Sequence, residues 1–304
     1  MSAEAWTFPS GVANARESTF FPARFFDELA ALPPQEVTGR LARSWFGPAE
    51  PLADFDAVAQ RRREQEFGYF ERICPTSWPI DLLRVRFSVD RLREALEEVP
   101  PVAPDAESFS DSLGRLILRA DRFHEELRRE LLPGRNGERG GSPPAPEGMA
   151  RPAASMLLDS AELAITLKVA ASSGDRLLKR WAQARALTAA AGVSYRAVRL
   201  GLPRELLAAY FFRQQAPPPL LPELAQALLG DYREQTARSF YPDGCEPGGE
   251  EAYLLEVAGE SRGEPFCPAV VLRYLSGYLE QERRLRLSVY ISLGKIRSAG
   301  ERAA

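Results

Sequence analysis

Apolar side chains recur at three- and four-residue steps through most of this chain, and that spacing limits the fold more than any other feature. Val271, Leu275, Tyr278, Leu285 and Val289 share one face of a helix that opens at Cys267-Pro268 and ends near Gly294. Proline suits such a first turn, because the amide hydrogen it lacks would be unpaired there anyway. Leu113, Leu116, Ile117, Ala120, Phe123, Leu127 and Leu131 form a second stripe, with Ser110 or Asp111 as N-cap and Pro133-Gly134 as stop. Further helices are predicted over 21–31, 35–46, 54–74, 88–98, 155–171, 174–191, 194–200, 203–214 and 220–240. Alternating strand-like runs are almost absent. Val85–Val89 is the one tempting stretch, and Ser88 there suits an N-cap better. The expected fold is all-α, a multi-helix bundle.

Residues Pro133–Ala154 interrupt the pattern with five glycines and five prolines. So little apolar surface cannot offset the entropy of ordering the backbone. The sequence therefore divides into an N-terminal helical part, 1–132, a flexible insertion or linker, 133–154, and a C-terminal helical part, 155–304. Tyr241–Gly249 reads as a second loop. Asp159 and Glu162 have the spacing of a capping-box start, their carboxylates answering unpaired amide hydrogens.

Composition removes much enzymology. His124 is the only histidine among 304 residues, so a Ser-His-acid triad must use it and a multi-histidine metal site is impossible. His124 itself reads as a core-edge histidine with a hydrogen-bond partner, the alternative being a lone general base. The chain has no CxxC, no GxxxxGK[ST], and no GxGxxG between a strand and a helix. No catalytic set, cofactor or metal site is expected, and the chain reads as a scaffold or partner-binding protein. Cys74, Cys245 and Cys267 are widely spaced, which suggests a reducing compartment without a disulfide framework. No run approaches the ~20 apolar residues of a membrane helix, and Met1–Ser10 does not read as a signal peptide.

The net charge is −3, yet charge is unevenly placed. Between Lys168 and Arg204, eight basic residues face Asp175 alone, and between Glu223 and Glu264 ten acids face three arginines. Such blocks are either solvated faces or docking surfaces for partners of opposite charge. Arg196 and Arg199, three apart on one helix, are the leading docking candidates, with Lys179 and Arg180 beside them in the block. Within the final helix Glu282 interrupts the apolar stripe, and Arg286 follows at the favourable i, i+4 spacing. A structural ion pair is expected there. The stretch Leu187–Leu202 resembles a helix-turn-helix, with Gly192 at the turn, Ser194 as cap and Val198 buried. A DNA-binding regulator using 187–202 is the alternative function.

Several segments, in order, resemble the central-stalk C/d subunit family of V-type and A-type rotary ATPases. Thr19–Leu29 (TFFPARFFDEL) and Gln35–Trp45 (QEVTGRLARSW) resemble that family's opening helices. Phe87–Leu96 and Leu158–Leu167 fall where the family carries two Asp-x-x-Asn-Leu helices. Ser88 and Arg91 stand in place of the first motif's Asp and Asn, and Glu162 in place of the second Asn. Tyr278, Glu282, Leu285-Arg286 and Gly294-Lys295 resemble landmarks of its final long helix. The resemblance implies three pseudo-repeated helical bundles in a funnel-like arrangement. It implies a non-catalytic subunit without cofactors, docked to central shaft subunits and to the membrane rotor ring of an ion-translocating motor. The implied location is cytoplasmic, peripheral to a membrane through the complex. Phe87–Leu96, Leu158–Leu167 and Gly277–Val289 are the candidate repeats.

Overall fold

A computed structural model describes residues 3–48, 52–98, 149–212 and 220–294, and no strand occurs among them. The protein is an all-α multi-helix bundle. His124, the Leu113–Leu131 stripe, most of the 133–154 segment and Lys295 lie outside the described residues.

The described chain forms two units, and the units do not follow the linear division expected from the sequence. One joins residues 1–80 to 258–304, and the other spans 81–257. The 155–304 part is therefore shared between them. A stripe read along the sequence shows that a helix has a buried face but not which distant helix covers it, so the pairing of the two chain ends was not legible.

The first unit holds α1 (Thr7–Glu17), α2 (Ala23–Ala31), α3 (Pro34–Ala42), α4 (Phe55–Ile73) and the final helix, here α12 (Pro268–Ser292). Helix α12 packs against all four of the others. Pro268 occupies its first turn, and Gly294, at φ +69°, follows its last. Leu285 and Val289 of the expected stripe are fully buried with Phe26, Leu29, Val37, Leu41, Phe46 and Phe55. Gly277 lets α12 approach the Phe20 ring, since a Cβ there would lie 2.7 Å from Phe20 Cε2. Helix α1 is not among the helices expected from the sequence, because Pro9 and Gly11 obscure its helical pattern.

The second unit is built on α6 (Ala150–Ser173) and α7 (Arg176–Arg199), which pack on each other after a tight turn. Gly174 takes the left-handed conformation that ends α6, and the Asp175 carboxylate accepts the Leu178 amide at 2.8 Å to start α7. Helix α5 (Trp78–Glu98) adds Val85, Val89 and Leu92 to their core. After a short α8 (Arg204–Leu206), a π-helical stretch runs Leu207–Phe211. The expected 220–240 helix is broken into α9 (Leu220–Gly230) and α10 (Glu234–Ser239). Helix α11 (Glu250–Gly259) follows the Tyr241–Gly249 loop.

Three local expectations fail for one reason: burial carries a helix past residues that look like stops or starts. Ser88 caps nothing; it is buried inside α5. Asp159 and Glu162 sit in the middle of α6, not at its start. The helix-turn-helix at 187–202 is not formed, because α7 runs unbroken through Gly192 and Ser194, both fully buried. Glycine in a helix interior costs about 1 kcal/mol relative to alanine. Here its missing Cβ makes room: Glu250 Oε1, Arg196 Nη1 and the Tyr241 hydroxyl lie 3.1, 3.2 and 3.3 Å from where that atom would be.

Gly192→Val should therefore lower stability by about 1–3 kcal/mol through overpacking, read as a shift in the urea midpoint. In a Tyr241→Phe background the cost should be smaller, because one of the three crowding atoms is gone. Equal costs in both backgrounds would show that the hydroxyl does not crowd Gly192.

Candidate docking surface and the polar networks behind it

Charged side chains are carried into both cores, and Glu282, Arg273, Glu162 and Asp159 each meet a partner from another helix. On α12 the Glu282 side chain is only 4% exposed, with Arg63 of α4 at 3.6 Å and Arg286 at 3.0 Å. Arg286 also donates to Asp56 Oδ1 at 2.7 Å, and the Tyr290 hydroxyl donates to Asp56 as well. Glu282 Oε2 has no hydrogen-bond partner. Burial pushes the Glu282 carboxyl up from its ordinary value, and Arg63 and Arg286 oppose the shift. Sequence spacing placed Arg286 beside Glu282 but could not find Arg63, some 200 residues earlier.

Two turns and more before Glu282, two further groups brace α12. The Arg273 guanidinium is buried and donates to Glu17 at 2.7 and 3.0 Å, to Asn14 at 2.6 Å and to Ser261 at 3.1 Å. The Tyr274 hydroxyl donates to Glu66 at 2.8 Å, and Arg16 pairs with the same carboxylate. Burial raises the hydroxyl pKa of both Tyr274 and Tyr278, so these phenols stay neutral.

The second unit repeats the device. Glu162 receives Nε and Nη2 of Arg185 on α7, at 3.0 and 2.7 Å. Asp159 receives Arg93 of α5 at 2.6 Å, and Arg86 donates to Glu251 of α11 at 2.9 Å. The two carboxylates expected to cap a helix start thus answer arginines from α5 and α7 instead. Burial outweighs the Arg93 charge at Asp159 and pushes its carboxyl up to about 6.

The basic block of the sequence is divided by these contacts. Arg185 is internal. Arg199, one of the two leading docking candidates, is exposed but lies 3.9 Å from Glu234 of the acidic block, which also accepts the Tyr195 hydroxyl at 3.0 Å. Arg196 is exposed too, and its guanidinium converges with Glu250 and Tyr241 over Gly192. These two arginines therefore face acids of the same chain. Lys179 and Arg180 are exposed near the start of α7, with Arg176 on the same helix face and Lys168 near the end of α6. Cys74, Cys245 and Cys267 form no disulfide among the described residues, and burial pushes Cys74 up to about 12, away from thiolate chemistry. Among the described residues, no group of three or more His, Cys, Asp or Glu is arranged to hold a metal.

Removing one member of a buried pair leaves an uncompensated charge, which costs about 3–5 kcal/mol. Glu282→Ala should fall in that range by denaturant titration. Arg286→Ala should cost clearly less, because Arg63 still faces the carboxylate and Arg286 is itself 37% exposed. Equal losses would mean that Arg63 does not share the charge. Asp159 supplies a pH signature. The folded protein holds its proton more tightly than the unfolded chain, so this contribution to stability is complete below the ordinary value of 3.8 and is lost as pH rises through about 6. Asp159→Asn should remove that part of the pH dependence of the urea midpoint, and unchanged slopes between those limits would refute the assignment.

Comparison with known proteins gives no family model that matches this chain and no curated protein that matches it.

Proposed function

We propose that this protein is a non-catalytic adaptor, a central-stalk subunit of the C/d type that couples the rotating shaft of a rotary ATPase to its membrane rotor ring. The observation that carries this reading is α12. The residues of the final-helix resemblance, Tyr278, Glu282 and Leu285-Arg286, sit on one long helix around which the rest of its unit is packed. Glu282 is held by Arg63 and Arg286 by Asp56, and on the same helix Arg273 and Tyr274 are held by Glu17 and Glu66, all four partners lying in the first 66 residues. A part that transmits torque must resist shear between its helices. Ion pairs and hydrogen bonds that span more than 200 residues of sequence cross-brace them in that way. The order of the remaining segments, from Thr19–Leu29 to Tyr274–Lys295, and the all-α fold support the same reading. Three pseudo-repeated bundles in a funnel and a cytoplasmic, membrane-peripheral location belong to the proposal. Among the described residues, no helix is long and apolar enough to cross a membrane.

The proton or sodium motor implied would be recovered with this protein. Affinity purification from the source cell, under conditions that keep the ATPase intact, should bring down shaft and rotor-ring subunits. Recovery of an intact ATPase that lacks this chain would overturn the proposal.

A further inference from the structure

We propose that Arg93 is a proton-operated latch between α5 and α6: it holds Asp159 on α6 while that carboxylate is ionised, and turns back to Asp90 on its own helix when Asp159 takes up a proton. The guanidinium serves both carboxylates at once through separate nitrogens. Nη1 donates to Asp90 Oδ1 at 2.5 Å and Nη2 to Asp159 Oδ1 at 2.6 Å. Asp159 is the inner partner, 17% exposed, and Asp90 the outer one, 41% exposed. Arg86 lies 3.9 Å from Asp90 and donates to Glu251 at 2.9 Å, so Arg93 is the closer of these two cations to Asp90.

Charge balance favours a latch over a fixed brace. Two carboxylates on one guanidinium leave the group one proton short of neutral. A fixed brace between helices needs a single carboxylate, as where Arg185 gives both Nε and Nη2 to Glu162. Asp90, three residues before Arg93 on the same helix, competes with Asp159 for the arginine and gives it a second seat.

The proton goes to Asp159. Water favours the charged form of a carboxylate and burial the neutral one, so falling pH neutralises the inner partner first. Burial pushes the Asp159 carboxyl up to about 6, and the Arg93 charge opposes that shift. The other charges that face it are Glu162 on α6 itself and Arg185 and Arg196 on α7. Arg185 is engaged by Glu162, and Arg196 converges with Glu250 over Gly192. The π-helical stretch packed on α6 brings Tyr210 as its one titratable residue. With Asp159 neutral, α5 keeps its apolar anchors in the core, Val85, Val89 and Leu92, and loses the Arg93 tie to α6. The latch goes beyond the rotor reading and does not require it.

The test uses the full-length protein and two double-mutant cycles, Arg93→Gln with Asp159→Asn and Arg93→Gln with Asp90→Asn. Each is read by urea unfolding at about pH 7.5 and about pH 5, on either side of the Asp159 value. The Arg93–Asp159 coupling should be at least about fivefold in the folding constant at the higher pH and fall to about twofold or less at the lower. The Arg93–Asp90 coupling should rise by about twofold or more over the same step. A second measurement needs no variant. In carbon-13 NMR of the wild-type protein, the Asp90 carboxyl resonance should step at the midpoint of Asp159, where Asp90 gains the arginine. An Arg93–Asp159 coupling that is equal at both pH values would overturn the latch and leave a fixed brace. So would an Arg93–Asp90 coupling that stays level or falls, or an Asp90 resonance without a step at the Asp159 midpoint. Because no motor subunit enters the assay, failure of the rotor reading leaves its outcome unchanged.

Discussion

The Glu282 carboxylate, drawn into the core of the first unit on α12, sets the condition that the rest of that unit must meet. A charge taken out of water is costly unless opposite charge is brought to it. The partner that meets it from deep in the unit is Arg63, on a helix made at the other end of the chain. Arg273 makes the same demand and is met by Asn14 and Glu17, and Tyr274 is met by Glu66. Apolar packing alone would tolerate α12 sliding or rotating against α1, α2 and α4. Directional charged contacts at two levels of the helix, Arg273-Tyr274 and Glu282, do not. The first unit therefore depends on both ends of the chain being present and in register.

Arginine makes these networks workable. The chain has only three lysines, Lys168, Lys179 and Lys295, and arginine supplies every other cation of its basic residues. As sequence, that bias reads first as genome composition. In the structure the planar fork of Arg185 spans to Glu162 through two nitrogens, and Arg273 reaches three different residues at once. A compact, strongly hydrated ammonium offers neither geometry. The two lysines within the described residues both lie on the exposed end of the α6–α7 hairpin, where a charge need not be desolvated.

The charge blocks show how a tally along the sequence separates from a surface. Eight basic residues in one stretch and ten acids in another suggest a bipolar molecule. Folding places α10 against α7, and so brings Glu234 to Arg199 and Tyr195. Part of each block is spent on the other.

The sequence by itself determined the helical class, because period and the scarcity of alternating runs are local properties. It determined the start of α12 at Pro268, its stop at Gly294 and the Glu282–Arg286 spacing, since caps and i, i+4 pairs are written within a few residues. Tertiary structure decided what lies opposite each buried face. It carried α7 through Gly192, where packing against Glu250 and Tyr241 replaced the turn that glycine otherwise signals. It moved Asp159 and Glu162 from a helix start to the middle of α6, where Arg93 and Arg185 answer them. It joined the first eighty residues to the last forty-seven. Each of these outcomes depends on the desolvation of a side chain by residues far away in sequence, and no local pattern records which residues those are.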